Sequence, residues 1–122
     1  MNGLLLFAHG ARDSNWALPF EAVLARVRAH RPGAAVRLAF LEFMTPDLPA
    51  AMAELVALGC TSVEVVPLFL GAGGHVRRDL PALLQRLRGE YPDVRFTLHP
   101  AAGEHPALID ALAAVAAATL PA

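Results

Sequence analysis

The stretch Gly3-Leu-Leu-Leu-Phe-Ala8 is a short apolar run without polar alternation, and a helical repeat follows it closely. Such a run is typical of a strand that is buried on both faces. Behind it, apolar residues recur at the spacing of one helix face, at Trp16, Phe20, Val23, Leu24 and Val27. The start of the chain therefore predicts a strand and then a helix, which Asp13 or Ser14 caps and Pro32-Gly33 ends.

The same succession of strand and helix recurs three more times. Further strands are predicted over residues 35–41, 62–70 and 94–98. A second helix opens at Pro46-Asp47 and ends at Gly59, a third carries a leucine stripe with Pro81 in its first turn, and a fourth covers residues 106–120. Short connections that each contain a helix predict a four-stranded parallel sheet with helices on both faces. The expectation is a single α/β domain over residues 1–122, with the strand order left open.

Composition narrows the classes of function. The chain has 122 residues, 56% of them apolar, and a net charge of −1, so neither a disordered chain nor a nucleic-acid partner is expected. No apolar run approaches the roughly 20 residues of a membrane span, so no membrane partner is expected either. Cys60 is the only cysteine, which excludes an internal disulfide and a thiolate cluster. These features favour a cytoplasmic protein.

Three of the predicted strands are followed by a residue that can bind a metal. These residues are His9, Glu42 and His75. Because the carboxyl ends of parallel strands share one edge of a sheet, all three are predicted on one rim. Imidazole and carboxylate groups without thiolate suit Co²⁺, Fe²⁺ or Ni²⁺. Alternatively, each histidine is a turn or hydrogen-bonded residue, and Glu42 interacts with the positive start of a helix.

The loop after the third strand combines glycines with arginines. Gly71, Gly73 and Gly74 lack the Gly-Lys-Ser/Thr of a P-loop, but they suit a loop whose backbone approaches a flat ligand. Arg77-Arg78 is either a solvated surface pair or a binding site for carboxylates. The remaining histidines, His30, His99 and His105, are interpreted as structural, and Cys60 as a small core residue.

The segments around His9 and His75 resemble the signatures of one family. Leu4-Leu-Leu-Phe-Ala-His-Gly-Ala-Arg12 is similar to the opening of CbiX-type short sirohydrochlorin chelatases, where the first strand runs into His-Gly-Ser-Arg. Val65-Val-Pro-Leu-Phe-Leu-Gly-Ala-Gly-Gly-His-Val-Arg-Arg-Asp-Leu-Pro81 is similar to their second signature. The resemblance covers the whole chain. Ala11 departs from the usual serine, which removes a hydroxyl but neither imidazole.

The resemblance implies a class II chelatase that inserts Co²⁺, or Fe²⁺ or Ni²⁺, into sirohydrochlorin or a related tetrapyrrole without ATP, in cobalamin or sirohaem biosynthesis. It implies no cofactor beyond the substrate metal, and a homodimer. By this resemblance His9 and His75 handle the metal, with Glu42 as a ligand or a base. The substrate's carboxylates and ring would then be bound by Arg12, Gly73, Gly74, Arg77 and Arg78.

Two other classes of function compete with the chelatase. A histidine phosphatase would need Arg directly before the first histidine, where this chain has Ala8. A non-catalytic tetrapyrrole or metal carrier is the remaining alternative.

The last helix bears on the predicted dimer. After Asp110 it has no charged residue, so it lacks the polar face of a surface helix and is predicted to contribute to a dimer contact. Alternatively, its alanines only reflect helix propensity, or the loops around Phe43 and Met44 form the contact.

Overall fold

The computed structural model of the protein describes residues 1–71 and 73–122, with the side chains of all of these except residues 74, 75 and 77. Within this described part, four strands alternate with four α-helices. The elements are β1 (Asn2–Ala8), α1 (Ala17–His30), β2 (Ala35–Phe40), α2 (Leu48–Ala57), β3 (Ser62–Pro67), α3 (Gly74–Glu90), β4 (Arg95–Leu98) and α4 (Pro106–Ala117). Short 3₁₀ turns at Ser14–Trp16 and Ala102–Glu104 precede α1 and α4.

The four strands form one parallel sheet in the order β2-β1-β3-β4. β1 pairs with β2 from Gly3↔Ala35 to Ala8↔Phe40, and with β3 from Asn2↔Ser62 to Phe7↔Pro67. The chain moves from β1 outward to β2 and then returns to the other side of β1. The strand order therefore reverses between β1 and β3, which is where open α/β sheets bind ligands.

Helices cover both faces of the sheet, and this confirms the predicted class. On one face, α1 packs Phe20, Leu24 and Val27 against a cluster that includes Leu6 and Leu38. On the opposite face, α2 and α3 cover the larger core. This core buries Leu48, Met52 and Leu55 of α2 and Leu80, Leu84 and Leu87 of α3. The predicted leucine stripe of the third helix is therefore core, and buried Cys60 lies in the same cluster.

The ends of α2 follow the local sequence signals. The Asp47 carboxylate accepts a hydrogen bond of 2.9 Å from the Ala50 amide at the start of α2. After the helix, Gly59 adopts a φ of +96°, a conformation that glycine enters without steric cost. A side-chain cap and a left-handed glycine are the ordinary signals for the two ends of a helix.

Several predicted boundaries were wrong, and α4, for example, ends at Ala117 and not at residue 120. β3 ends at Pro67 and not at residue 70, since the chain beyond it leaves the sheet and Leu70 is 71% exposed. α3 begins at Gly74, so Pro81 lies in the middle of the helix and not in its first turn. Pro81 is exposed, and it lacks the N–H group that would donate to the carbonyl four residues before it.

The fourth helix, whose residues are all described, packs only loosely on its own chain. None of its 12 residues is buried. The exposed fractions of Ile109, Leu112 and Val115 are 53%, 49% and 70%, and only Leu108 is half-buried. The sequence predicts that α4 contributes to a dimer contact, and this stays a prediction for a helix that leaves most of its apolar side chains exposed.

Candidate functional site

The carboxyl ends of β1 and β3 bring a histidine and a phenylalanine into contact. His9 directly follows β1, and Phe69 lies two residues after β3. Their ring centroids are 4.2 Å apart, with planes inclined at 32°. Phe69 is only 3% exposed, and its ring also packs against Phe7 in the core. The imidazole is therefore held against a rigid aromatic surface at the reversal in strand order.

The backbone of His9 has a second contact. The Trp16 indole Nε1 donates a hydrogen bond of 2.7 Å to the His9 carbonyl. Trp16 lies in the 3₁₀ turn that the Asp13 carboxylate caps by accepting from the Asn15 amide. The predicted cap at Asp13 is thus present, but it serves this turn, and α1 begins only afterwards. The turn brings the indole back onto the end of β1.

His9 lies on the wall of a cleft of about 670 Å³. One side is formed by the turn before α1 and by α1 itself, another by the chain after β3, and a third by the start of α4. The lining residues are His9, Trp16, Pro19, Phe20, Val23, Leu68, Phe69, Leu70, Gly71, Ala102 and Leu108. Apart from the imidazole of His9, these side chains are apolar or aromatic. The cleft suits a large, mostly apolar ligand that presents polar atoms to one imidazole.

The loops after β1 and β2 meet at Gly10. A Cβ atom built on Gly10 would lie 1.5 Å from the Glu42 carbonyl oxygen, so only glycine fits this contact. The same carbonyl accepts a hydrogen bond of 2.8 Å from the Met44 amide. Phe43, between donor and acceptor, has a φ of +65°, as in the rare and strained γ-turn. The exposed Glu42 side chain therefore projects from a tight turn whose backbone touches the residue after His9.

The predicted three-ligand metal site is only partly visible. His9 and Glu42 follow adjacent strands on the same edge, as expected. The side chain of His75 lies outside the described residues. Among the residues that are described, no three histidine, cysteine, aspartate or glutamate side chains form a cluster. The site at His9, Glu42 and His75 therefore stays a prediction, although α3 places position 75 in a first helical turn and not in a loop.

The predicted substrate-binding residues are spread around this edge. The Arg12 guanidinium lies over the exposed ring of Phe43, 5.0 Å from its centroid. Arg78 is exposed on α3, and Gly73 is the extended residue that precedes that helix. The side chain of Arg77 and residue Gly74 fall outside the described side chains. Neither Arg12 nor Arg78 lines the cleft at His9, so they could reach only the rim of a bound ligand.

The other histidines of the carboxyl edge have structural partners. His99 Nε2 lies 2.7 Å from a Glu64 carboxylate oxygen, on the adjacent strand. His105 caps α4, because its Nδ1 accepts a hydrogen bond of 3.1 Å from the Ala107 amide. Both contacts agree with the structural interpretation of these residues.

A model of the CbiX family matches residues 3–119 of the chain. The chain belongs to the CbiX family. The sirohydrochlorin cobaltochelatase of Saccharolobus solfataricus is 36% identical over 87 residues, which are 69% of this chain and 64% of that protein. That of Sulfurisphaera tokodaii is 32% identical over 92 residues, or 73% of this chain and 72% of that protein. The chain thus spans about two thirds of the length of these curated relatives.

Solved structures share the CbiX fold of this chain. A putative cobalamin biosynthesis CbiX protein from Marinobacter aquaeolei VT8 superposes with a TM-score of 0.84 at 33% identity, over 98% of this chain and 97% of that one. The sirohydrochlorin chelatase SirB from Bacillus subtilis subspecies spizizenii, solved in complex with cobalt, has a TM-score of 0.73 at 28% identity. The match to SirB covers 81% of this chain but only 43% of that one. This CbiX chain therefore corresponds to less than half of SirB.

Sequence reasoning missed two residues of this candidate site. Trp16 was assigned to the apolar face of the first helix, yet it is 45% exposed and bonded to His9. Phe69 was counted only as part of a strand end and of a motif. The sequence does contain a signal for these two residues. An aromatic residue lies within seven positions of a histidine both after β1, at Trp16, and after β3, at Phe69. The contact itself depends on the pairing of β1 with β3, which local sequence does not report.

Proposed function

We propose that this CbiX protein is a sirohydrochlorin chelatase, which inserts a divalent metal ion, Co²⁺ or alternatively Fe²⁺ or Ni²⁺, into the tetrapyrrole without ATP. The observation that carries the proposal is the placement of the His9 imidazole on the wall of an apolar cleft of about 670 Å³. The cleft offers a flat, apolar ring a surface to lie on. The imidazole can bind the metal ion beside the centre of that ring. Curated relatives are named sirohydrochlorin cobaltochelatase, and SirB has been solved with cobalt and with Fe³⁺.

In the proposed reaction, a divalent ion replaces the two protons on the pyrrole nitrogens. The ion must lose water ligands, and the two protons must leave. A neutral imidazole can help with either step. Its nitrogen can replace a water ligand of the ion, or it can accept a proton from a pyrrole nitrogen. His9 and His75 are proposed to hold the ion while leaving positions open for exchange. Glu42 is proposed to offset its charge or to accept a proton.

The substrate's carboxylates would be bound at the rim of the cleft. Sirohydrochlorin carries carboxylates around an apolar ring, and arginine pairs with carboxylate through two parallel hydrogen bonds. Arg12, Arg77 and Arg78 are the proposed partners. Gly73 and Gly74 would let the backbone approach the ring.

The proposal is tested by an anaerobic absorbance assay with sirohydrochlorin and each of Co²⁺, Fe²⁺ and Ni²⁺. The wild-type protein is expected to convert the spectrum of the free ring to that of the metal complex. His9→Ala and His75→Ala are each expected to abolish most of this turnover, with His30→Ala as the matched control on the exposed end of α1. Near wild-type turnover in either variant would contradict the two-histidine site. Tight binding of the ring or the metal without any turnover would favour the carrier alternative.

We also propose that two copies of the chain pair through α4. The helix has no charged residue after Asp110, and its exposed apolar side chains project from the chain. A helix that is apolar all round is normally covered on more than one side. The cleft at His9 is open in a single copy, and a second copy over α4 would enclose a bound ring. The proposed dimer therefore also completes the binding site.

Sedimentation at micromolar concentration tests the dimer. The wild-type chain is expected to sediment as a dimer, and Ala114→Glu is expected to shift it toward the monomer, because a carboxylate would be buried in an apolar contact. Gln85→Glu serves as the control for added charge, because Gln85 is exposed on α3, away from the proposed contact. A wild-type monomer would exclude the dimer. An unchanged dimer of Ala114→Glu would place the contact elsewhere.

A further inference from the structure

We infer that Phe69 and Trp16 are positioning residues, which together hold the His9 imidazole in the orientation that binds the metal ion. The inference rests on the proposed function, because it takes His9 as a metal-binding group. It goes further by assigning a role to two aromatic residues that touch His9 from different directions.

The ring of His9 is held by stacking. In metal-binding histidines, the N–H group of the second ring nitrogen usually donates a hydrogen bond to a carboxylate or carbonyl, and this hydrogen bond sets the orientation of the ring. Among the described residues, no group forms a hydrogen bond with either ring nitrogen of His9. The described contact of the ring is its stacking on Phe69, at 4.2 Å and 32°. Stacking sets the plane of the imidazole and leaves both nitrogens, which lie at the ring edge, available.

The stacking surface is rigid. Phe69 is 3% exposed and packs against Phe7, which is 1% exposed. The Phe69 carbonyl accepts a hydrogen bond of 2.8 Å from the Gly103 amide. A Cβ atom on Gly103 would lie 1.7 Å from the Leu70 carbonyl oxygen, so the two chain segments are in direct backbone contact. Phe69 is thus fixed through both its ring and its backbone.

Trp16 restrains His9 at its backbone. The indole holds the His9 carbonyl by its hydrogen bond of 2.7 Å, although the Trp16 side chain is 45% exposed on the cleft. The Trp16 ring also packs against Phe20 of α1, with ring centroids 5.8 Å apart, so the indole is fixed on one side while its N–H group holds the His9 carbonyl. Backbone and ring of His9 are therefore restrained independently.

The test measures Co²⁺ binding directly by NMR, with the metal alone as the probe. Paramagnetic Co²⁺ broadens the signals of a histidine that binds it, and His9→Ala identifies which signals belong to His9. Phe69→Leu keeps an apolar side chain but removes the stacking surface. Phe96→Leu is the matched control, because Phe96 is 5% exposed in the same core but pairs with Val63 near the amino end of β3.

Phe69→Leu is expected to raise the Co²⁺ concentration at half-broadening of His9 by about 10-fold or more, the usual effect of removing a group that orients a metal ligand. Phe96→Leu is expected to leave it unchanged. Phe69→Tyr, which keeps the ring, is expected to restore most of the affinity. Trp16→Phe, which loses the N–H group and keeps an aromatic side chain, is expected to weaken binding as well.

The positioning role is overturned if Phe69→Leu and Phe96→Leu bind Co²⁺ equally well. If Phe69→Leu does not fold, Trp16→Phe decides, and unchanged affinity there overturns the inference. These outcomes are distinct from failure of the proposed function, which would appear as the absence of metal insertion by the wild-type protein. In the insertion assay, Phe69→Leu is expected to raise the KM for Co²⁺ more than the KM for sirohydrochlorin. A larger rise in the KM for sirohydrochlorin would mean that Phe69 contacts the ring as a wall of the cleft and does not position His9.

Discussion

Replacing Gly10 by alanine tests whether the loops after β1 and β2 must touch for the site to form. The new Cβ atom would lie 1.5 Å from the Glu42 carbonyl oxygen, and real Cβ atoms do not approach other atoms closer than 3.0 Å. The loops must therefore separate by at least about 1.5 Å. This movement breaks the backbone contact that places the residue after His9 against the β2 loop.

Overpacking of this kind costs about 1–3 kcal/mol of unfolding free energy. In a chain of this size, each kcal/mol of lost stability lowers Tm by about 4 °C. The expected loss in Tm is therefore roughly 4–12 °C. The effect on activity is expected to be larger, because a displacement of about 1 Å at a reacting group can cost on the order of 100-fold in rate. Gly10→Ala is therefore expected to lower kcat/KM for metal insertion by about 100-fold at temperatures where the variant is folded.

Gly33→Ala is the matched control, because an added Cβ there meets no atom within 4 Å. It is expected to keep full activity and to leave Tm unchanged or slightly raised. Thermal unfolding by circular dichroism and the anaerobic insertion assay measure the two effects. The reasoning is refuted if Gly10→Ala matches Gly33→Ala in both Tm and kcat/KM.

Three further predictions concern a helix cap, the core and the rim of the cleft. Asp47→Ala removes the carboxylate that accepts from the Ala50 amide at the start of α2, and a loss of about 1 kcal/mol is expected in urea unfolding; unchanged stability would show that the cap contributes nothing. Leu55→Ala leaves a cavity at a site that is 0% exposed, so a loss of about 2–5 kcal/mol is expected by the same measurement; a loss below about 1 kcal/mol would mean that the core closes over the gap. Arg12→Ala is expected to raise the KM for sirohydrochlorin several-fold while changing the KM for Co²⁺ little. The difference in KM for sirohydrochlorin between this variant and the wild type should shrink at high salt, which screens exposed ion pairs. Equal KM values in mutant and wild type would assign Arg12 only to its contact with Phe43.

Local spacing along the chain was enough to predict the succession of strands and helices and the class of the fold. Examples are the apolar run before His9 and the cap and glycine around α2. The boundaries at Pro67 and Gly74 were less accurate, because a strand or helix ends where its pairing or packing ends, and local spacing does not record that. Parallel pairing also allowed the sequence to place His9 and Glu42 on one edge of the sheet.

Which residues touch could be seen only in the folded chain. The strand order put β1 between β2 and β3, and this brought Gly10 against Glu42 and His9 against Phe69. It also left α4 only loosely packed on its own chain. These contacts join residues more than 30 positions apart in the first two cases. Periodicity shows only which face of each element is apolar, whereas such contacts depend on how the strands are ordered and how closely their loops approach.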